Sequence, residues 1–223
     1  MTVPYTEFQH HYPPRTANKV PYNSSVYKMW KRLPDAIGQF KMDGTNTQVV
    51  VHPDRHIELF TRHKLLHTEK LDPVSNFTLP DVLQARILDF TPKDTFTVYN
   101  AELLHHKTKM VKNTLYFFDV LVWDGQHMLG VPYGERHKII WEILDGKRLP
   151  LHENMIDGQL AVAHNILVKD WDTAWEDAKK SQYCEGLVLK RFGSTSGLQL
   201  GLSEKNNGSF MVKVRKPKKN YVS

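Results

Sequence analysis

The sequence predicts an α+β fold of mainly antiparallel strands with flanking helices. Three observations carry that expectation. Short β-prone runs are joined by turn chemistry, notably Asp43-Gly44 and Asp124-Gly125, and Asp-Gly between such runs is a hairpin signal. Residues 133–144 and 171–181 read as helices, the first with clear apolar spacing. Neither a repeat nor a long linker breaks the chain, so one domain over residues 1–223 is expected, of strands and helices that do not alternate regularly.

Taken in order, residues 1–35 are rich in Pro, Tyr, Asn and basic side chains. Pro13-Pro14 and Pro21 predict an irregular entry with one short helix near residues 26–32. A strand ends near Phe40, Asp43-Gly44 turns the chain, and residues 47–52 return as the second arm of a hairpin. A further strand is expected at 58–61 and a short helix at 81–88. Residues 95–104 and Thr114–Trp123 read as strands, the second nearly all apolar and therefore central. In the first long helix, Ile139, Ile140, Ile143 and Leu144 form one face and Glu135, Arg136 and Lys138 the other. Strands at 186–192 and 209–214 finish the domain. Gly193, Gly197 and Gly201 punctuate a polar segment between them that reads as a loop.

The chain of 223 residues can bury a substantial core without disulfides. Its single cysteine, Cys184, excludes an intramolecular bridge and suits a reducing compartment. With no apolar signal core and no apolar run long enough to span a bilayer, a soluble cytoplasmic protein is expected, without a membrane partner and as a monomer. Thirty Lys and Arg against 24 Asp and Glu give a net charge of +6, which favours a polyanionic partner. Lys213, Arg215, Lys216, Lys218 and Lys219 concentrate that charge near the end. Twelve histidines invite a metal, but His10-His11 and His105-His106 have no partners at zinc spacing, so no structural zinc is expected. A P-loop and a Gly-x-Ser-x-Gly elbow are both lacking.

The informative chemistry lies in three segments: Phe40-Lys41-Met42-Asp43-Gly44-Thr45-Asn46, Glu185-Gly186-Leu187-Val188-Leu189-Lys190, and Met211-Val212-Lys213-Val214-Arg215-Lys216. A lysine is a nucleophile only when deprotonated, so Lys41 needs desolvation or neighbouring cations, which Lys190, Lys213 and a divalent metal would supply. Glu102 and Glu185, at strand ends, suit ribose hydroxyls, a magnesium ion or proton removal from the lysine. In Phe117-Phe118-Asp119, alternation puts one ring in the core and frees the other to stack on a base. Arg62 follows the 58–61 strand and can fork a phosphate. Each residue alone reads as an ordinary surface or core position; the order of the three segments is what carries information.

Together the segments resemble the covalent nucleotidyltransferase superfamily of ATP-dependent DNA ligases, RNA ligases and GTP-dependent mRNA capping enzymes, over residues 41–216. The resemblance implies an ATP-grasp-like nucleotidyltransferase domain in which Lys41-Met42-Asp43-Gly44 is the nucleotidyl-lysine motif. It implies that Lys41, Glu185, Lys190 and Lys213 are catalytic. Lys41, Asp43, Arg62, Glu102, Phe118, Lys190, Lys213 and Arg215 would hold the nucleotide, with Phe118 stacking on the base. Glu185 and Glu102 would hold the metal, and Lys190 and Lys213 act on phosphates as exposed cations. Two departures stand out. Lys213-Val214-Arg215 has an arginine where the second lysine of the family's last motif is expected, unless Lys216 takes that role. The chain also ends soon after, so no OB-fold domain is expected.

The implied function is an ATP- and Mg²⁺-dependent polynucleotide ligase acting through lysyl-AMP. Asn46, in Lys-x-Asp-Gly-x-Asn, looks more like RNA ligases, so RNA ends are the favoured nucleic-acid partner and DNA nicks the alternative. A capping-type guanylyltransferase and a non-catalytic nucleic-acid-binding module are the remaining readings.

Overall fold

The computed structural model describes residues 19–64, 71–75, 77–107, 109–128, 130–194 and 210–217. Thirteen strands lie among them: β1 Ala36–Met42, β2 Thr45–Val51, β3 Ile57–Lys64, β4 Leu71–Pro73, β5 Thr97–Leu104, β6 Val111–Lys112, β7 Thr114–Trp123, β8 Gln126–His127, β9 Ile156–Asp157, β10 Leu160–Val162, β11 Ile166–Leu167, β12 Cys184–Arg191 and β13 Met211–Arg215. Four α-helices accompany them: α1 Ser25–Trp30, α2 Asp81–Phe90, α3 Tyr133–Ile143 and α4 Trp171–Lys180. The long elements match the sequence expectation to within a few residues. The short strands carry too few residues for a periodic signal and were not expected.

The strands form two principal sheets. The larger runs β10-β7-β5-β2-β3-β4 with β8 beside β7, and the smaller runs β11-β1-β12-β13. In both, every pairing is antiparallel except β10 with β7. The fold is therefore α+β, as expected. The apolar strand β7 is indeed interior, flanked by β5 and β10. Asp124 (φ 50°) and Gly125 (φ 72°) form the tight turn into β8, the two left-handed residues that a type I′ hairpin requires.

One expectation fails. Asp43-Gly44 does not close a hairpin: β1 pairs with β11 and β12, whereas β2 pairs with β3 and β5. The turn instead carries the chain from one sheet to the other. Asp43 N donates to Tyr183 O at 2.9 Å, while Gly44 N donates to Glu102 Oε1 at 3.1 Å. The two backbone donors are thus taken by groups outside β1 and β2, and a Cβ on residue 44 would lie 2.6 Å from Leu103 O. Only glycine permits that approach.

Burial explains how the layers stack. On one face of the large sheet, Val49, Val51, Tyr99, Ala101, Leu103, Leu115 and Phe117 bury against Leu83 and Ile87 of α2 and Ile140 of α3. The outer face of the small sheet, with Ala36, Leu187, Leu189, Val212 and Val214, buries against Tyr27 and Trp30 of α1 and Trp171, Ala174 and Trp175 of α4. In α4 the buried positions 171, 174, 175 and 178 form one stripe. Asp172 lies in its first turn and Lys179 and Lys180 in its last, as the helix dipole favours. Alternation then turns Gln39, Lys41, Val188, Lys190, Lys213 and Arg215 to the inner face of the small sheet, towards the large one. No described helix is long and apolar enough to cross a membrane.

Candidate active site

Lys41 lies near the end of β1, opposite Gly186 of β12. The β1–β12 register slips there: Lys41 faces Gly186 but Met42 faces Cys184. Glu185 is the extra residue of a β-bulge. Simple alternation would put it with Leu187 and Leu189 on the core face; the bulge re-aims it. Its Oε2 lies in contact with Lys41 Nζ, and Arg215 Nη1 is 4.0 Å from the same oxygen. The Glu185 side chain is 9% exposed and that of Lys41 14%, so the pair is screened little by solvent. Gly186 (φ 140°) is obligatory here, since a Cβ would lie 2.1 Å from Val214 O.

Glu102 reaches the same place from β5. Burial pushes its carboxyl above the usual range, against the opposing pull of Lys41 and Lys107; the negative charge of Glu185 adds to the rise. Asp43 lies beside Lys107, Oδ1 to Nζ 3.9 Å, and Lys107 Nζ also donates to Gly44 O. Lys107 was not singled out from the sequence. The signal available was the basic stretch His105-His106-Lys107 directly after β5.

Phe118 is also carried by a bulge. Ala101 pairs with Phe117 and Asn100 with Asp119, leaving Phe118 without a partner on β5. Phe117 is fully buried in the core, as alternation predicts, and Phe118 is half-buried with the Lys190 Nζ 5.1 Å from its ring centre. Lys190 Nζ also lies 4.2 Å from the Tyr133 ring centre. Burial, together with the nearby Arg136 charge, pulls the Lys190 ammonium down to about 8, against the opposing effect of Asp119. Lys190 and Lys213, expected as exposed cations, are 6% and 8% exposed.

A hydrogen-bond chain fixes this part of the site. Gln39 Nε2 donates to Tyr133 Oη at 2.7 Å and to Asn165 Oδ1 at 2.8 Å. Tyr133 Oη donates to Phe118 O at 2.9 Å. Asn165 Nδ2 donates to His137 Nδ1 at 3.1 Å, and His137 Nε2 donates to Ala163 O at 2.6 Å. The chain is consistent only with a neutral His137 protonated on Nε2. Burial agrees, holding its pKa down at about 4. Arg136, expected on the polar face of its helix, is instead 2% exposed, because it forks both Asp119 oxygens at 2.8 and 3.0 Å and ties α3 to β7 beside Phe118. None of Gln39, Tyr133, Arg136, His137 and Asn165 was marked by the sequence, because no local motif encodes their convergence.

The structure therefore brings Lys41, Asp43, Glu102, Glu185 and Arg215 together, and Phe118 with Lys190. Lys213 lies opposite Val188 on the intervening row of the same inner face. Lys216 is engaged elsewhere, its Nζ donating to Ala178 O and Ser181 O at 3.0 and 2.9 Å, at the C-terminal end of α4. Arg215 of this last motif lies 4.0 Å from Glu185. Arg62 lies inside β3 rather than after it, and its side chain is outside the described residues, as are Gly197, Gly201, Lys218 and Lys219. Burial drives the thiol of Cys184 up to about 11, which keeps it protonated at neutral pH.

The architecture is that of the covalent nucleotidyltransferase superfamily. The family model described as ATP dependent DNA ligase domain matches residues 16–199, and the chain belongs to that family. Among solved structures, a mycobacterial DNA ligase D complexed with ATP and MES is similar at 17% identity and TM-score 0.50, over 81% of this chain and 54% of that one. A protein designated Pmar-Lig_Pre is similar at 14% identity and TM-score 0.54, over 90% of this chain and 46% of that one. The chain spans about half the length of these relatives. No curated protein matches it.

Proposed function

We propose that the chain is an ATP-dependent polynucleotide ligase whose nucleophile is Lys41. The observation that carries this reading is the contact of Lys41 Nζ with the bulged Glu185, beside Glu102 and Arg215, in a member of the ATP dependent DNA ligase domain family. Before attack Lys41 must lose a proton, and Glu185 Oε2 is in contact to accept it. The lysine nitrogen then forms a bond to the α-phosphorus of ATP while the bond to the bridging oxygen breaks and pyrophosphate leaves. AMP passes from the lysine to a 5′-phosphate, and a 3′-hydroxyl displaces it to seal the strand.

Arg215, Lys213 and Lys190 supply positive charge where negative charge develops on phosphate. Phe118 offers a face for the base, and Gly44 N and Lys107 fix the turn after the nucleophile. The carboxylates of Glu102 and Glu185 are oxygen donors of the kind Mg²⁺ prefers. They would hold that ion, whose chemistry is neutralisation of phosphate charge. Burial raises the pKa of the Glu102 carboxyl, and a bound cation would favour its charged form.

The polymer has two readings, each with its own support. The family match favours DNA nicks. Asn46, whose place in Lys-x-Asp-Gly-x-Asn resembles that in RNA ligases, is the basis for RNA ends, the preference we propose. Incubation with labelled ATP or GTP, followed by sealing assays on DNA, RNA and hybrid nicks, tests all of this. The expected result is an AMP adduct on Lys41 and sealing of substrates with RNA at the ends. Sealing of all-DNA nicks alone replaces RNA with DNA. Labelling by GTP alone gives the guanylyltransferase, and no adduct leaves a binding module.

A further inference from the structure

The hairpin between β2 and β3 carries side chains that nucleotidyl transfer does not use. His52, His56 and Glu58 converge there with ligand atoms all within 4.8 Å of one another. His52 Nε2 is 2.6 Å from Glu58 Oε2, and His56 Nε2 is 3.8 Å from the same oxygen. On the far side of the His56 ring, Nδ1 is 2.5 Å from Asp54 Oδ1.

We propose that this hairpin tip binds one divalent transition-metal ion of the zinc class through His52 Nε2, His56 Nε2 and Glu58 Oε2. Two atoms bound at ~2.1 Å to a tetrahedral ion lie about 3.4 Å apart, and the separations of 2.6 and 3.8 Å bracket that value. Asp54 accepts the proton of His56 Nδ1, which leaves the Nε2 lone pair for a metal. A carboxylate behind a histidine is the usual outer support of such a ligand. Two imidazoles with one carboxylate favour zinc, copper or nickel over magnesium or calcium. Three protein ligands leave a fourth position open.

The scaffold holds these donors in register. His52 N donates to His56 O at 3.0 Å and Arg55 N to His52 O at 2.9 Å. Arg55 takes a left-handed φ of 73°, and its guanidinium is anchored to the carbonyls of Leu88, Thr91 and Pro92 at the end of α2. Phe96 packs edge-on against the His52 ring at 5.0 Å. The two imidazoles are stacked at 3.7 Å and 12°. Because a ring nitrogen's lone pair lies in the ring plane, binding tilts His56 out of the stack, which its 51% exposure permits. His52 is seven residues along the chain from Thr45, roughly 23 Å at the rise of a strand, so the cluster is separate from Lys41. The sequence concealed it, because His-x-x-x-His-x-Glu has the four-residue histidine spacing of helical zinc sites but lies across a hairpin turn between two strands.

The test titrates the full chain with Zn²⁺ alone by calorimetry and with Co²⁺ by visible absorption. The expected result includes one ion that Mg²⁺ does not displace, with the imidazole NMR signals of His52 and His56 shifting on its addition. His56→Ala and Glu58→Gln should each weaken that ion at least ~10-fold, and Asp54→Asn about 10–100-fold. All three positions are solvent-accessible, so the fold should survive. Lys41→Ala should leave this binding unchanged, which keeps the outcome independent of the ligase reading. Equal binding by the His56→Ala/Glu58→Gln double variant, shifts confined to other histidines, or no binding at all would overturn the site.

Discussion

Lys41 Nζ touches Glu185 Oε2 because β12 carries one extra residue opposite the Lys41–Met42 step of β1. A regular ladder would have aimed the carboxylate at Leu187 and Leu189. The bulge, and the glycine that follows it, are therefore part of the candidate machinery.

Glu185→Gln should form lysyl-AMP at least ~10²-fold more slowly than the unaltered chain, the scale of removing one preorganised electrostatic group, and Lys41→Ala should form none. A denaturing gel of the acid-labile adduct measures both. Gly186→Ala should also lose activity, and should cost about 1–3 kcal/mol from backbone strain, since its Cβ would meet Val214 O at 2.1 Å. Equal labelling of Lys41→Ala would remove the nucleophile assignment.

The two phenylalanines should separate. Phe117 is 0% exposed in the core, so Phe117→Ala should lower unfolding free energy by about 3–5 kcal/mol, read by denaturant titration. Phe118→Ala should cost less stability and raise the KM for ATP. The opposite pattern would mean that Phe118 is a packing residue and not the base platform.

Lys190 should make nucleotide affinity depend on alkaline pH. Its ammonium is held down at about 8 by burial, so the charge is present below that pH and lost above it. The KM for ATP in adenylylation should rise as pH is raised from neutral through that value, and Lys190→Met should flatten the rise. A profile identical in both proteins would assign the titration elsewhere.

His137 should make stability fall in acid. Unfolded, it titrates near 6.5; folded, at about 4. The unfolded state therefore binds the proton first, and stability present above pH 6.5 is lost as pH drops towards 4. The difference corresponds to roughly 3 kcal/mol. Denaturation midpoints of the unaltered chain and His137→Gln, compared from neutral pH down to the folded pKa, should differ in slope by that contribution. Parallel curves would show that His137 is not the titrating group.

The sequence by itself determined the long strands and helices, because period-2 and period-3.6 apolar patterns depend only on local geometry. It also marked Lys41, Glu102, Phe118, Glu185 and Lys213, since their order along the chain resembles a known family. It expected a hairpin at Asp43-Gly44, where the chain in fact changes sheets, because turn chemistry does not say which strands a turn joins. Tertiary structure alone decided the rest. Which residue of a strand is pushed out into a bulge depends on the partner strand, so the aim of Glu185 and Phe118 could not be read locally. Lys216 was separated from Arg215 by a helix end, not by motif. The Gln39–Tyr133–Asn165–His137 chain joins side chains drawn from β1, α3 and the stretch before β11. Sequence distance hides such contacts, and only packing the two sheets face to face brings them within hydrogen-bonding range.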